Sequence, residues 1–93
     1  MNKKITVRNP FNEICYCILS GDKDFEEQFN CWLFGSAHPG EGMCARFHDT
    51  TLDMVDYYHG ETIASFQILS IEDTEEKTIL RWVGVEASET DQI

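Results

Sequence analysis

Residues 48–61 read HDTTLDMVDYYHGE: four acids, two histidines and two adjacent tyrosines, with no basic residue among them. How this stretch folds decides the architecture. The spacing predicts a short helix, capped by Thr50 or Thr51, with Asp53 in its first turn, Leu52, Val55 and Tyr58 facing inward, and Gly60 ending it. Thr, Val and Tyr are poor helix formers, so the prediction leans on caps and periodicity more than on propensity. On that helix Asp53 and Asp56 lie three apart and project from one side, bracketed by Asp49 and Glu61. Tyr57 is then turned outward among carboxylates, with His59 beside it. An aromatic anchor among charges is the composition of a protein interface.

On the N-terminal side, the elements are set by changes of period. Ile5 and Val7 alternate in KITVR, a short strand, and Asn9, Pro10 and Asn12 mark a turn. EICYCILS, β-branched and aromatic, is a second strand paired with the first. Phe25, Phe29, Trp32 and Leu33 then recur at helical spacing, with Asp22 or Asp24 as the N-cap, Glu26 and Glu27 in the first turn and Gly35 at the end. SAHPGEG is a loop, and MCARFHD a third strand. Beyond the opening stretch, ETIASFQILSIED and KTILRWVGVEA are two further strands, joined through DTEEK as a hairpin with an acidic tip.

The order β-β-α-β-α-β-β describes an α+β fold: a mostly antiparallel sheet of about five strands with two helices on one face. A small, strongly curved β-barrel lacking the first helix is the alternative. Residues 1–87 form the single domain, and 88–93, polar and acidic, are a frayed, disordered tail. The 93 residues include six Phe, three Tyr and two Trp, a content that argues for a packed core.

Charge is the informative part of the composition. Seventeen acids face seven bases, and Lys3, Lys4 and Arg8 all precede Pro10. Beyond Pro10 the chain sets seventeen acids against Lys23, Arg46, Lys77 and Arg81, a balance of −13. Such a field repels nucleic acid and anionic membrane and steers basic partners inward. The N-terminus has no apolar core of a signal peptide, and no apolar run approaches the ~20 residues of a membrane span. The expectation is a soluble cytoplasmic protein whose four cysteines remain free thiols.

Catalytic and metal chemistry are weakly signalled. Cys15 and Cys17 share a strand face and read as core filling, and Cys44 and His48 do not complete the paired spacing of a structural zinc site. The sequence contains no G-x-S-x-G, no phosphate-binding glycine loop with lysine and no H-E-x-x-H. Cys31 and Cys44 with His38, His48 or His59 could supply a Cys–His enzyme, and a cleft near Cys31, Trp32, Cys44 and His48 would make a small ligand-binding or thiol-regulated module. Neither reading uses the charge. No catalytic residue, metal or cofactor is therefore assigned.

The expectation that does use it is a non-enzymatic, protein-binding inhibitor whose acidic face occupies a basic, nucleic-acid-binding surface on its target. By size and charge the analogy is with phage-encoded, anti-CRISPR-like inhibitors of host defence and with immunity proteins that neutralise nucleases. Asp53, Asp56, Tyr57 and Glu61 are the first contact candidates, and Glu72, Asp73, Glu75 and Glu76 come after them. Exposed edge strands also make a homodimer an open option.

Overall fold

The computed structural model describes residues 1–34, 42–56 and 58–84. Along the chain lie β1 (Asn2–Arg8), β2 (Ile14–Leu19), α1 (Phe25–Phe34), β3 (Met43–Phe47), β4 (Thr51–Asp56), β5 (Thr62–Thr74) and β6 (Ile79–Gly84). The expected cap at Gly35, the expected loop over residues 36–41, Tyr57 and the 88–93 tail fall outside the described residues.

The helix expected over the opening stretch is corrected to a strand. In β4 Leu52 is buried and Met54 packs on the core, whereas Asp53 between them faces the other way and adds nothing to the interior. Period two therefore overrides the helical spacing of Leu52 and Val55, and the β-branched Thr51 and Val55 favour the pleated backbone. Among the described residues the observed order is β-β-α-β-β-β-β, with one helix where two were expected and six strands where five were expected.

All six strands join one antiparallel sheet in the order β3-β4-β5-β1-β2-β6. The expected β5–β6 hairpin is a second correction, because β6 pairs with β2 and the β1–β2 hairpin is wedged between β5 and β6. The chain crosses that gap through residues 75–78, and the Asn2 side chain donates to Glu76 O at 2.8 Å along the way. β5 organises the rest. Residues from Thr62 to Gln67 pair with β4, and those from Gln67 to Thr74 pair with β1 on the opposite side. Shifting from one partner to the other staggers the strands and curls the sheet.

The curl is read from two rings. Phe66 on β5 and Trp82 on β6 stack with centroids 5.3 Å apart. In a flat sheet the three intervening strand spacings would separate them by about 14 Å. The result is a half-barrel, close to the curved barrel held as the alternative but retaining the first helix. Its concave face carries Ile5, Val7, Cys15, Cys17, Leu19, Ala45 and Leu52, and α1 inserts Phe29 into it. Phe29 is fully buried, with ring centroids 5.9 Å from Trp32, 6.0 Å from Phe47 and 6.1 Å from Trp82.

Helix α1 begins at Asp24, whose Oδ1 accepts the Glu27 N–H at 2.9 Å. Its other attachment is to the outer edge of β3. Glu26 Oε2 accepts the Phe47 N–H at 2.9 Å, and Asn30 Oδ1 accepts the Ala45 N–H at 2.9 Å. Residues four apart on a helix rise about 6 Å and residues two apart on a strand about 6.7 Å, so the two spacings match. Glu26, placed by the sequence reading in the first turn as a partner of the helix dipole, also serves as a structural bridge. Among the described residues, no helix is long and apolar enough to cross a membrane.

Candidate partner-binding surface

The first group of candidates comes together at the β4–β5 end of the sheet. Strand register sets Arg46 opposite Asp53, and Asp53 opposite Ser65. Asp53 Oδ1 accepts the Ser65 hydroxyl at 2.7 Å, and Oδ2 lies 3.5 Å from His48 Nε2. These are the residue types of a serine-hydrolase triad in the wrong order. The serine proton is donated to the carboxylate and not to the imidazole, so the histidine does not activate that hydroxyl.

Asp56 has a different task. It closes β4 and organises the reversal into β5, with Oδ1 accepting the N–H groups of Tyr58 (2.9 Å) and His59 (3.2 Å). Its Oδ2 lies 2.9 Å from His59 Nδ1, and because a carboxylate only accepts, Nδ1 carries the proton. These donors hold the Asp56 carboxyl below the ordinary carboxylate range, the His59 side chain first and the backbone bonds after it. Gly60, at φ +72°, completes the turn, and its N–H donates to Asp56 O.

Asp53 and Asp56 therefore do not project together as they would from a helix. Asp53 stands on the outer face of the sheet, and Asp56 caps its end. Tyr57, the expected anchor, lies outside the described residues. Tyr58, which the helical reading turns inward, is 66% exposed. Two apolar neighbours have no counterpart in the sequence reading. Ile63, 57% exposed, sits at the β-bulge where pairing skips from Met54–Ala64 to Val55–Thr62, and Met43, also exposed, pairs with Asp56 across β3 and β4. A bulge re-aims the side chain it displaces, and bulges leave no mark in hydrophobic periodicity. Glu61 is exposed beside them.

The second group lies elsewhere. Glu72 lies eleven positions beyond Glu61, which at ~3.3 Å per residue is about 36 Å along the strand. The two groups occupy opposite ends of β5 and form no continuous patch. Lys4 stands opposite Glu72, and Lys3 pairs with Asp73 through a charged hydrogen bond. That lysine holds the Asp73 carboxyl below the ordinary range. Glu75 and Glu76 lie in the crossing segment, and both are exposed. The N-terminal bases Lys3 and Lys4 thus offset part of the acidity at this end.

All four cysteines are free, and their settings differ. Cys15, Cys17 and Cys44 are buried, and burial pushes the Cys17 thiol up to about 12, with Cys15 adding to the effect. The expected cleft at Cys31, Trp32, Cys44 and His48 is corrected in its membership. Cys31 and Trp32 line a cleft of about 590 Å³ with Lys23, Asp24, Glu27, Gln28 and Leu80, and Cys44 and His48 are not part of its wall. Among the described residues no group of three or more His, Cys, Asp or Glu is arranged to hold a metal ion.

No protein-family model matches this chain, and neither a curated protein nor a solved structure does.

Proposed function

We propose that this protein is a non-catalytic inhibitor that binds another protein, docking the β4–β5 end of its sheet on a basic surface that otherwise holds nucleic acid. One observation supports the reading: Tyr58, Ile63 and Met43 are all exposed at the end of the sheet that Asp56 closes and Glu61 follows. Isolated exposed apolar residues are ordinary, but an aromatic, a Met and an Ile set in an acidic rim match the anchor-and-rim build of a binding surface. The −10 charge supplies the steering toward a cationic target. Free thiols suit a cytoplasmic setting. Phage-derived inhibition of host defence and neutralisation of a nuclease are the two settings that this chemistry fits.

The test starts from affinity capture out of host lysate at low and high salt, with titration of the captured target afterwards. Asp56 also holds the turn, so the cleaner charge reversals are Asp53→Lys and Glu61→Lys, with Tyr58→Ala removing the anchor. Each should weaken binding roughly tenfold or more, and the charge reversals should flatten its salt dependence. Nucleic acid should compete with this protein for the target. Unchanged affinity in all three variants removes this surface from the interface.

A further inference from the structure

The sheet has two terminal strands, and among the described residues only β3 has a capped outer edge. Asn30 and Glu26 cap the outer edge of β3, whereas β6 pairs with β2 and, among the described residues, with no strand on its other side. The 590 Å³ cleft lies along that open side, between α1 and Leu80 of β6. Leu80 and Trp82 are two apart and share a strand face: Trp82 enters the core, while Leu80 is left 50% exposed at its margin. Trp32 joins the two environments, since its ring is 5.0 Å from Trp82 and it also lines the cleft. The apolar floor is therefore an extension of the core.

The wall opposite β6 is fixed in place. Gln28 accepts the Ser20 N–H at 2.9 Å and donates to Ser20 O at 2.8 Å, which ties α1 to the end of β2. Asp24 is held by its capping bond to Glu27 N–H. An unpaired strand edge beside a rigid apolar groove is the geometry on which an extended peptide adds as a further strand. Charge selects the occupant. The lining carries two carboxylates, Asp24 and Glu27, against one ammonium, Lys23, within a chain of net charge −10.

We propose that the cleft between α1 and the free edge of β6 takes an extended polypeptide segment of alternating apolar and basic residues. Its backbone adds to β6, its apolar side chains rest on Trp32 and Leu80, and its cations lie beside Asp24 and Glu27. β6 spans six residues, about 20 Å when extended, and its register against β2 is irregular between Ile79 and Val83. This site uses none of the residues at the β4–β5 end, so it stands or falls apart from the inhibitor reading.

Cys31 is exposed and lines the cleft, which makes its alkylation a direct report of occupancy. The probe is a synthetic hexapeptide of alternating valine and lysine, blocked at both ends, added to the full chain during iodoacetamide labelling. The lysine peptide should slow Cys31 labelling, while the same peptide with glutamate for lysine, or with N-methylated alternate amides, should not. Glu27→Lys and Leu80→Glu should each weaken the protection roughly tenfold, and Asp53→Lys should leave it unchanged. Absence of protection by the lysine peptide at millimolar concentration overturns the proposal. Equal protection by the glutamate peptide overturns the charge assignment. Slow labelling without peptide, in a protein that sediments as a dimer, assigns the edge to a second copy instead.

Discussion

Asn30 and Ala45 are joined as if they were partners in a sheet: the Asn30 side chain accepts the Ala45 N–H at 2.9 Å and offers Nδ2 to Ala45 O at 3.4 Å. A buried side-chain amide thus stands in for the peptide group of a strand that is not there. The same Nδ2 also donates to Glu26 O at 2.9 Å, which fixes its direction. Asn30→Ala leaves the buried Ala45 N–H and C=O unpaired, at about 1–3 kcal/mol. In a domain of this size that corresponds to a fall in Tm of about 4–8 °C per kcal/mol. Asn30→Asp should be at least as harmful, since it buries a charge and loses the donor. Chemical denaturation of the two variants checks this, and a loss smaller than that of an exposed control such as Glu75→Ala would refute the capping role.

Glu26 does the same for Phe47, but from a half-exposed position where it also meets Arg46 at 3.6 Å. The hydrogen bond and the ion pair can be separated. Glu26→Gln keeps an acceptor for the Phe47 N–H and removes the charge, whereas Glu26→Ala removes both. Exposed ion pairs contribute about 0–1 kcal/mol, so the Gln variant should unfold close to the parent. The Ala variant should lose about 1 kcal/mol or more through the unmade bond. If both lose equally, the ion pair and not the edge cap is what matters.

The β4–β5 turn predicts a pH dependence. Asp56 and Asp73 both have carboxyls held below the ordinary range, by His59 with the turn amides and by Lys3 respectively. A depressed folded-state value means stabilisation that is complete above the unfolded value, near 3.9. It is lost as the pH falls through the lower folded values. Stability should therefore be insensitive to these groups at neutrality and decline only in strong acid. Asn at position 56 can still accept the Tyr58 and His59 amides but has no charge to lose. Asp56→Asn should thus keep the turn and flatten part of the acid slope. Carboxyl chemical shifts of Asp56 and Asp73 tracked by NMR against pH check the direction.

Much of the fold is legible because its signals are local. β1, β2, α1, β3 and the last two strands arise from period, caps and turn residues that act within a few positions. The 51–56 strand is not, because Leu52 and Val55 fit a helical stripe, while the feature that decides for a strand, pairing of Asp53 with Arg46 on one side and Ser65 on the other, is tertiary. Separation of β5 from β6 is likewise invisible in the chain, since four connecting residues suit a hairpin equally well. At the surface, the acids are legible and their compensation is not. Lys3 and Lys4 are seventy residues from Asp73 and sixty-eight from Glu72 in sequence, and only the sheet register brings them together.

Thiol reactivity should track burial. Cys31 is exposed; Cys15, Cys17 and Cys44 are enclosed, and burial raises both the Cys15 and Cys17 thiols, with Glu13 adding to the first. In the native protein at mildly alkaline pH, one thiol should react promptly with an aromatic disulfide reagent, and all four should react in denaturant. Raised folded-state values also set a sign. The stability they reflect is complete below the unfolded cysteine value, about 8.5, and is lost as the pH climbs toward 12. Cys17→Ala should reduce that alkaline loss. Prompt reaction of two or more native thiols would mean that the half-barrel opens far more readily than its packing implies.

Trp82 stacks on Phe66 at 5.3 Å and on Phe29 at 6.1 Å. Its ring is central to the aromatic cluster, yet its buried Nε1–H has no hydrogen-bond partner among the described residues. The two facts pull in opposite directions. Removing the ring creates a cavity at the point where β5, β6 and α1 converge, and Trp82→Ala should cost about 3–5 kcal/mol. Trp82→Phe keeps a stacking surface and eliminates the unpaired donor. An orphan buried donor carries a penalty of about 1–3 kcal/mol, of the same order as the transfer energy lost with the smaller ring. The Phe variant should therefore lie within about 1 kcal/mol of the parent in urea denaturation. A loss near that of the alanine variant would mean that the indole nitrogen has a partner after all, such as an ordered water, and that the cluster is held by polarity as well as by stacking.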